Sequence, residues 1–274
     1  MINYENRPGN VIKSKKISLF LKLYFRELFY KILYFHQSVQ NFLYLVFVLK
    51  RNKKKHFSLS GFYDLNNEVE IQKICNSIGK NWFKKINYYL DLQKKNKLDF
   101  KVVDDIEILK DKDILSLALS RELRDIIETY LNSKVEIAKI SIWLSKKNKL
   151  HGSPNFHLDS AGYGNSRLYV YLSNVRDGCG EFTYIEKEET KKIIKNSGYQ
   201  AKSFSDEELL KYTSKEKFRK ILGIPGKAFL IDTTRCLHMG SRCIVDDRFV
   251  LIINFQKWSA KNSPVNYNYK HLNK

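Results

Sequence analysis

Two stretches of this 274-residue chain place metal-ligand side chains at suggestive spacings. One reads HLDS at residues 157–160. The other, RCLHMGSRCIVDDRFVLIINF, starts at Arg235 and carries His238 and, ten residues later, Arg248. In His157-x-Asp159 the side chains are two residues apart, so on an extended strand both point to the same face. A neutral imidazole and a carboxylate then converge on one ion. With His238 the set becomes two histidines and one carboxylate on one side of an ion, which leaves coordination positions open, unlike the closed ligand sets of structural zinc. On the strand RFVLIINF, Arg248, Val250, Ile252 and Asn254 share one face. Arg248 is the single charge there, aimed at whatever His238 borders, and a buried arginine needs an anion.

An open set of this composition is the pattern of non-haem Fe(II) oxygenases. If the metal is six-coordinate, three positions remain. A 2-oxo acid fills two of them through its keto oxygen and adjacent carboxylate, its far carboxylate reaches Arg248 for a bidentate pair, and O2 takes the last. Arg248 has an alternative use as an ion-pair partner of Asp232 or Asp246. Tyr169 and Tyr171 lie on one face of their strand and are candidates to reach the 2-oxo acid or substrate, although inward tyrosines more often belong to a core. Arg235 and Arg242 flank His238 and could meet an anionic substrate; solvated positions are the simpler expectation. His36, His56, His151 and His271 have no partner at ligand spacing.

These residues need elements to position them. From Val135 onward the sequence alternates with period two and favours β-branched and aromatic residues, as in VEIAKISIWLS, RLYVYLSNV, GEFTYIE, KAFLIDTT and RFVLIINFQKW. Short strands separated by turns of Gly, Asn and Asp predict a barrel or sandwich rather than a parallel sheet. One helical insertion, SDEELLKYTSKEKFRKILG, interrupts them. Before the strands, Asn66 or Asn67 can cap a helix on which Val69, Ile71, Ile74 and Ile78 recur, and a second helical segment runs from about Ile114 to Leu131.

The chain is 43% hydrophobic and 14% aromatic, enough for one large domain and an appendage. Its net charge of +20 comes from lysines spread along the whole sequence, and no nucleic-acid motif accompanies them, so no specific nucleic-acid partner is expected. Cys75, Cys179, Cys236 and Cys243 form no Cys-x-x-Cys pair and read as reduced, cytoplasmic thiols. Residues 1–56 form a separate aromatic and basic helical segment. Between Ile17 and Leu49 the apolar run is too often interrupted for a transmembrane helix. It suits helices that cover the main domain, or an in-plane membrane anchor over residues 17–55 ending in the basic cluster KRNKKK.

From about Ile140 to Phe255 the sequence resembles the phytanoyl-CoA dioxygenase-like branch of the Fe(II)/2-oxoglutarate oxygenases. The resemblance rests on HLD at 157–159, NVRDGCGEFTYIE, GIPGKAFLIDTTRCLHMGSR, and the arginine ten residues after His238. It implies a mainly β domain with flanking helices, an α+β arrangement over residues 57–274 around a double-stranded β-helix core of jelly-roll or cupin-like type. It also implies His157, Asp159 and His238 as iron ligands, Arg248 as the group holding 2-oxoglutarate, and hydroxylation of an unactivated C–H with release of succinate and CO2. Where family members often carry Pro-Gly-Ser-His, this chain reads EKEETKK at 186–192, which leaves the substrate, a small molecule or a lipid, unassigned. Because Asp159 is a carboxylate, no ligand position is vacant for halide. Two other functions remain open on the residues alone: a barrel without turnover that serves as a membrane-surface scaffold, and a cupin-like metal-dependent hydrolase or isomerase. A cation poised for a distal carboxylate is superfluous in a hydrolase.

Overall fold

The computed structural model describes residues 60–96, 103, 105–149, 154–159, 164–198, 203–240 and 242–257, together with Val39. Apart from Val39, the aromatic and basic segment over 1–56 lies outside the described residues, as do His151 and His271. No helix among the described residues is long and apolar enough to cross a membrane.

Among the described residues, eight strands make two antiparallel sheets. The larger contains β1 (Phe62–Asp64), β2 (Val135–Ser145), β3 (Asn165–Tyr171), β6 (Ala228–Ile231) and β8 (Arg248–Lys257), in the order β1-β6-β3-β8-β2. The smaller contains β4 (Phe182–Tyr184), β5 (Arg219–Ile221) and β7 (His238–Met239), in the order β5-β4-β7. The period-two pattern read from the sequence explains how they pack. On β8, Val250 and Ile252 face an aromatic core with Tyr169, Tyr171, Phe182, Tyr184, Phe229 and Ile231. Phe249, Leu251, Ile253 and Phe255 face the opposite way, into a core shared with helices. Because both sheets contribute to the first cluster, they pack face to face through it; Tyr169 meets Phe182 with ring centroids 4.8 Å apart.

Among the described residues, five helices lie between β1 and β2: α1 (Val69–Phe83), α2 (Ile86–Asn96), α3 (Asp105–Lys110), α4 (Lys112–Leu119) and α5 (Arg121–Leu131). On α1 the buried stripe is Ile71, Cys75, Ile78 and Trp82, at spacings of four, three and four. Burying a side chain of this size contributes roughly 1.5–3 kcal/mol. Val69, expected on that stripe, is 73% exposed. The cap also differs from the expectation: Asn66 and Asn67 sit in a short 3-10 turn capped by the Asp64 side chain, and α1 starts after Glu68. The single segment predicted over 114–131 is two helices. They break at Ser120, whose hydroxyl accepts from the Leu123 N–H and caps α5.

A sixth helix, α6 (Lys187–Ser197), is built from the EKEETKK departure, and with Phe204 and Leu209 it covers the outer side of the smaller sheet. The predicted helical insertion is mostly not helix. It contains one turn, α7 (Asp206–Leu209), a 3-10 turn at Lys215–Lys217, and then β5, whose Arg219–Ile221 pair with β4.

Candidate metal centre

His157 and His238 face each other across an antiparallel bridge, with both backbone N–H···O bonds at 3.0 Å. This bridge extends the smaller sheet beyond β7, and the Asp159 N–H then donates to the Thr233 carbonyl at 3.0 Å. The turn before His238 is set by fully buried Asp232. Its carboxylate accepts from the Thr234 N–H and hydroxyl, and from the Tyr130 hydroxyl at 2.7 Å. Backbone pairing therefore delivers the three side chains that the sequence separates by some 80 residues.

Their ligand atoms lie within 4.8 Å of one another, a grouping able to hold a metal ion. Each imidazole Nδ1 contacts the backbone carbonyl two residues earlier, His157 to Asn155 and His238 to Cys236, both at 3.0 Å. A carbonyl can only accept, so the proton sits on Nδ1 and the Nε2 lone pair is free in both rings. Each Nε2 points toward Asp159 Oδ1, at 3.8 Å for His157 and 3.9 Å for His238. Those distances are too long for hydrogen bonds. They leave a gap that two bonds of about 2 Å each to a shared cation would span. The donor set therefore fits a metal with open positions.

The second carboxylate oxygen is engaged elsewhere. Arg167 Nη2 lies 2.7 Å from Asp159 Oδ2, a close ion pair whose N–H is not aimed along the contact. Burial alone would raise the Asp159 carboxyl. The Arg167 guanidinium, helped by His238, the Thr233 hydroxyl and His157, outweighs it and holds the group below the usual carboxylate range. Arg167 was not among the residues singled out from the sequence. Its signal there is that it opens RLYVY on the same face as Tyr169 and Tyr171, a lone charge on an otherwise inward set.

The two tyrosines divide. The Tyr171 hydroxyl donates to the Ile221 carbonyl at 2.8 Å and accepts from the Phe182 N–H at 3.2 Å, so it ties the sheets together and belongs to the core. Tyr169 stacks on Phe229 at 5.2 Å. Burial, the largest influence, raises its phenol; Arg167 and Arg248 oppose that rise and Asp159 adds to it. On β3, Tyr169 follows Arg167 on the inner face. The facing register on β8 runs from Asn254 opposite Arg167, through Ile252 opposite Tyr169, toward Arg248, so Tyr169 lies along the sheet between the Arg167–Asp159 pair and the Arg248 end.

Arg248 is 4% exposed. Its Nη1 donates to the Gly180 carbonyl at 2.7 Å, its Nη2 reaches the Ser145 hydroxyl at 3.5 Å, and its Nε has no partner. Neither Asp232 nor Asp246 pairs with it, and no acidic side chain among the described residues does. Gly240 makes room for it, since a Cβ there would lie 2.7 Å from Nη1. The other two arginines near His238 are not merely solvated. Arg235 lies 3.8 Å from Asp232, and Arg242 makes a two-pronged contact with Asp206 at 2.8 Å while its Nε donates to the Pro154 carbonyl at 2.6 Å. Arg242 therefore fixes the chain that enters His157.

The apo site has a pH signature. Burial, the largest influence, pulls His238 down to about 4, against the opposing pull of Asp159. A histidine in the unfolded chain takes up its proton near 6.5. Between those values the unfolded state binds more protons, so the metal-free protein is expected to lose stability as pH falls from about 6.5 to 4. Asp159, whose folded value lies below its unfolded one, adds a further loss on continued acidification. Urea midpoints measured across this range should slope for the wild type and flatten for His238→Gln. Equal slopes would show that His238 is not buried neutral.

No family model matches this sequence, and no curated protein matches it. Among solved structures, the fold is similar to HygX from Streptomyces hygroscopicus with nickel and 2-oxoglutarate bound, at 13% identity and a TM-score of 0.47 over 73% of this chain and 83% of that one. It is also similar to a ThoJ–nickel complex, a non-heme monooxygenase, at 13% and 0.42 over 73% and 77%. A third is SnoN, a non-heme alpha ketoglutarate dependent epimerase from nogalamycin biosynthesis, at 16% and 0.39 over 57% and 61%. None is similar enough to carry an argument about this chain, whose own side chains must supply it.

Proposed function

We propose that this chain is an Fe(II)- and 2-oxoglutarate-dependent oxygenase on a double-stranded β-helix, hydroxylating an unactivated C–H of its substrate. One observation carries the reading. Two Nε2 lone pairs and one carboxylate oxygen converge with coordination positions to spare, while Arg248, buried and without an acidic partner among the described residues, lies along the same sheet face beyond Arg167, Tyr169 and Tyr171.

In this reading His157, His238 and Asp159 Oδ1 hold the iron. When bound, iron and 2-oxoglutarate supply the oxidising chemistry, in which O2 and the oxo acid are consumed and succinate and CO2 leave. The chain's own residues do the positioning. Asn155 and Cys236 carbonyls keep both imidazoles in the ligating tautomer. Arg167 occupies Asp159 Oδ2, which leaves a single oxygen for the metal. Arg248 takes the distal carboxylate, with the Tyr169 hydroxyl beside it. The aromatic cluster of Tyr169, Phe182 and Phe229 keeps water from that end. A hydrolase or isomerase on the same ligands has no use for the Arg248 guanidinium, which favours the oxygenase. The resemblance to the phytanoyl-CoA dioxygenase-like branch agrees with this assignment of the four residues.

Protein loaded with Fe(II) and 2-oxoglutarate without oxygen is expected to show the weak visible absorption of a chelated 2-oxo acid. Metal-replete protein lacking that band would overturn the reading. Admitting O2 should then produce succinate, faster with a true substrate; a scaffold without turnover would produce none.

A further inference from the structure

Two buried cysteines outside the metal group lie opposite each other. Cys179 and Cys243 are partners in an antiparallel bridge, 0% and 2% exposed. The bond nearest to them runs from the Ile244 N–H to the Gly178 carbonyl at 2.7 Å, one residue outside the pair on each strand. That places the cysteines at a non-hydrogen-bonded position, where Cα atoms are about 4.5 Å apart and side chains are closest. The spacing falls at the lower edge of the roughly 4.4–6.8 Å that a disulfide spans.

The pair brackets the proposed carboxylate-binding arginine. Cys179 precedes Gly180, whose carbonyl accepts from Arg248 Nη1. Arg248 opposes the upward push of burial on the Cys243 thiol, through both its charge and its backbone N–H. Ile244 and Val245, which follow Cys243, are 66% and 45% exposed, so the turn carrying Cys243 is at the surface.

We propose that Cys179 and Cys243 are a reversible disulfide site whose closure reshapes the seat of Arg248 and weakens its hold on a dicarboxylate. The oxidant is a low-molecular-weight disulfide. The Cys243 thiolate attacks one of its sulfurs, forming a mixed disulfide and expelling one small thiolate. Cys179, giving up its proton, then attacks the Cys243 sulfur and expels the second. The two protons lost by the protein end on the two small thiols released, so one small disulfide is reduced for each protein disulfide formed. Burial pushes the Cys243 thiol up to about 11 despite Arg248. Little Cys243 thiolate exists at neutral pH, and the pair responds to sustained rather than brief oxidation.

Incubating the full chain with oxidised glutathione tests this, with free cysteines blocked afterwards. Intact mass should fall by two hydrogens, peptide mapping should join the segments containing Cys179 and Cys243, and dithiothreitol should reverse both. Cys179→Ala should instead retain a glutathione adduct on Cys243, and Cys243→Ala should form neither the disulfide nor an adduct on fully buried Cys179. A wild-type protein that stays reduced, carries only adducts, or joins Cys75 or Cys236 would overturn the site. The effect on Arg248 rests on the oxygenase reading: the oxidised form is expected to bind 2-oxoglutarate several-fold more weakly, and equal affinity of the two forms would overturn that coupling. If the bond forms but neither form binds 2-oxoglutarate, the oxygenase reading falls and the cysteine site stands.

Discussion

Replacing His238 with alanine is expected to abolish Fe(II) binding, whereas Arg248→Met should leave it intact. His238 supplies one of only three ligand atoms in the group. The loss removes a ligand already held in the correct tautomer by the Cys236 carbonyl. Arg167→Met should fall between these extremes. Its guanidinium touches Asp159 Oδ2 rather than the ion, and removing such a supporting partner typically costs about 10–100-fold in metal affinity. Anaerobic titration of the four proteins would read the series directly. His238 also stacks on Phe182 at 5.4 Å, so alanine leaves a gap in the core, and His238→Gln checks that the loss is one of ligation rather than packing. An Arg248 variant that lost iron together with the histidine variant would make Arg248 a structural residue.

The position of Arg167 in that series illustrates what the sequence discloses. His157, Asp159, His238 and Arg248 are legible because their types and local spacings are sufficient: two residues apart on an extended stretch, or heading an alternating strand. Arg167 is different. Its importance depends on β3 passing beside the segment that carries Asp159, a relation fixed by sheet pairing and not by either segment alone. The same holds for Arg242, whose partner Asp206 lies 36 residues earlier, and for Cys179 opposite Cys243. The alternation on β8 correctly assigned inward and outward residues, because burial on both faces leaves a strand little freedom of register. The helical insertion failed for the converse reason. Residues 215–221 have helix-compatible composition, yet pairing of Arg219–Ile221 with β4 overrides that weak preference. Val69 shows a smaller failure, since apolar residues at helical spacing do not reveal which edge of the stripe the rest of the protein covers.

Arg248→Met is expected to weaken 2-oxoglutarate while sparing 2-oxo acids that lack a distal carboxylate. The guanidinium makes one good hydrogen bond, to the Gly180 carbonyl, and a long one to Ser145, with its Nε unpartnered. A cation so placed in a buried setting has unmet capacity for an anion, and a charge-assisted bond there is worth roughly 1.5–3 kcal/mol. That corresponds to about 10–150-fold in affinity. Pyruvate has the same chelating end as 2-oxoglutarate but nothing to offer Arg248, so the wild type should prefer 2-oxoglutarate and the variant should bind both alike. Arg248→Lys should recover part of the difference, because it restores charge but not the planar two-pronged geometry. Retained Fe(II) binding in both variants reports that the fold and the histidine–aspartate group survive. If the variants lose affinity for pyruvate as steeply as for 2-oxoglutarate, Arg248 acts through the chelating end or through the fold, and a distal carboxylate is not what it binds.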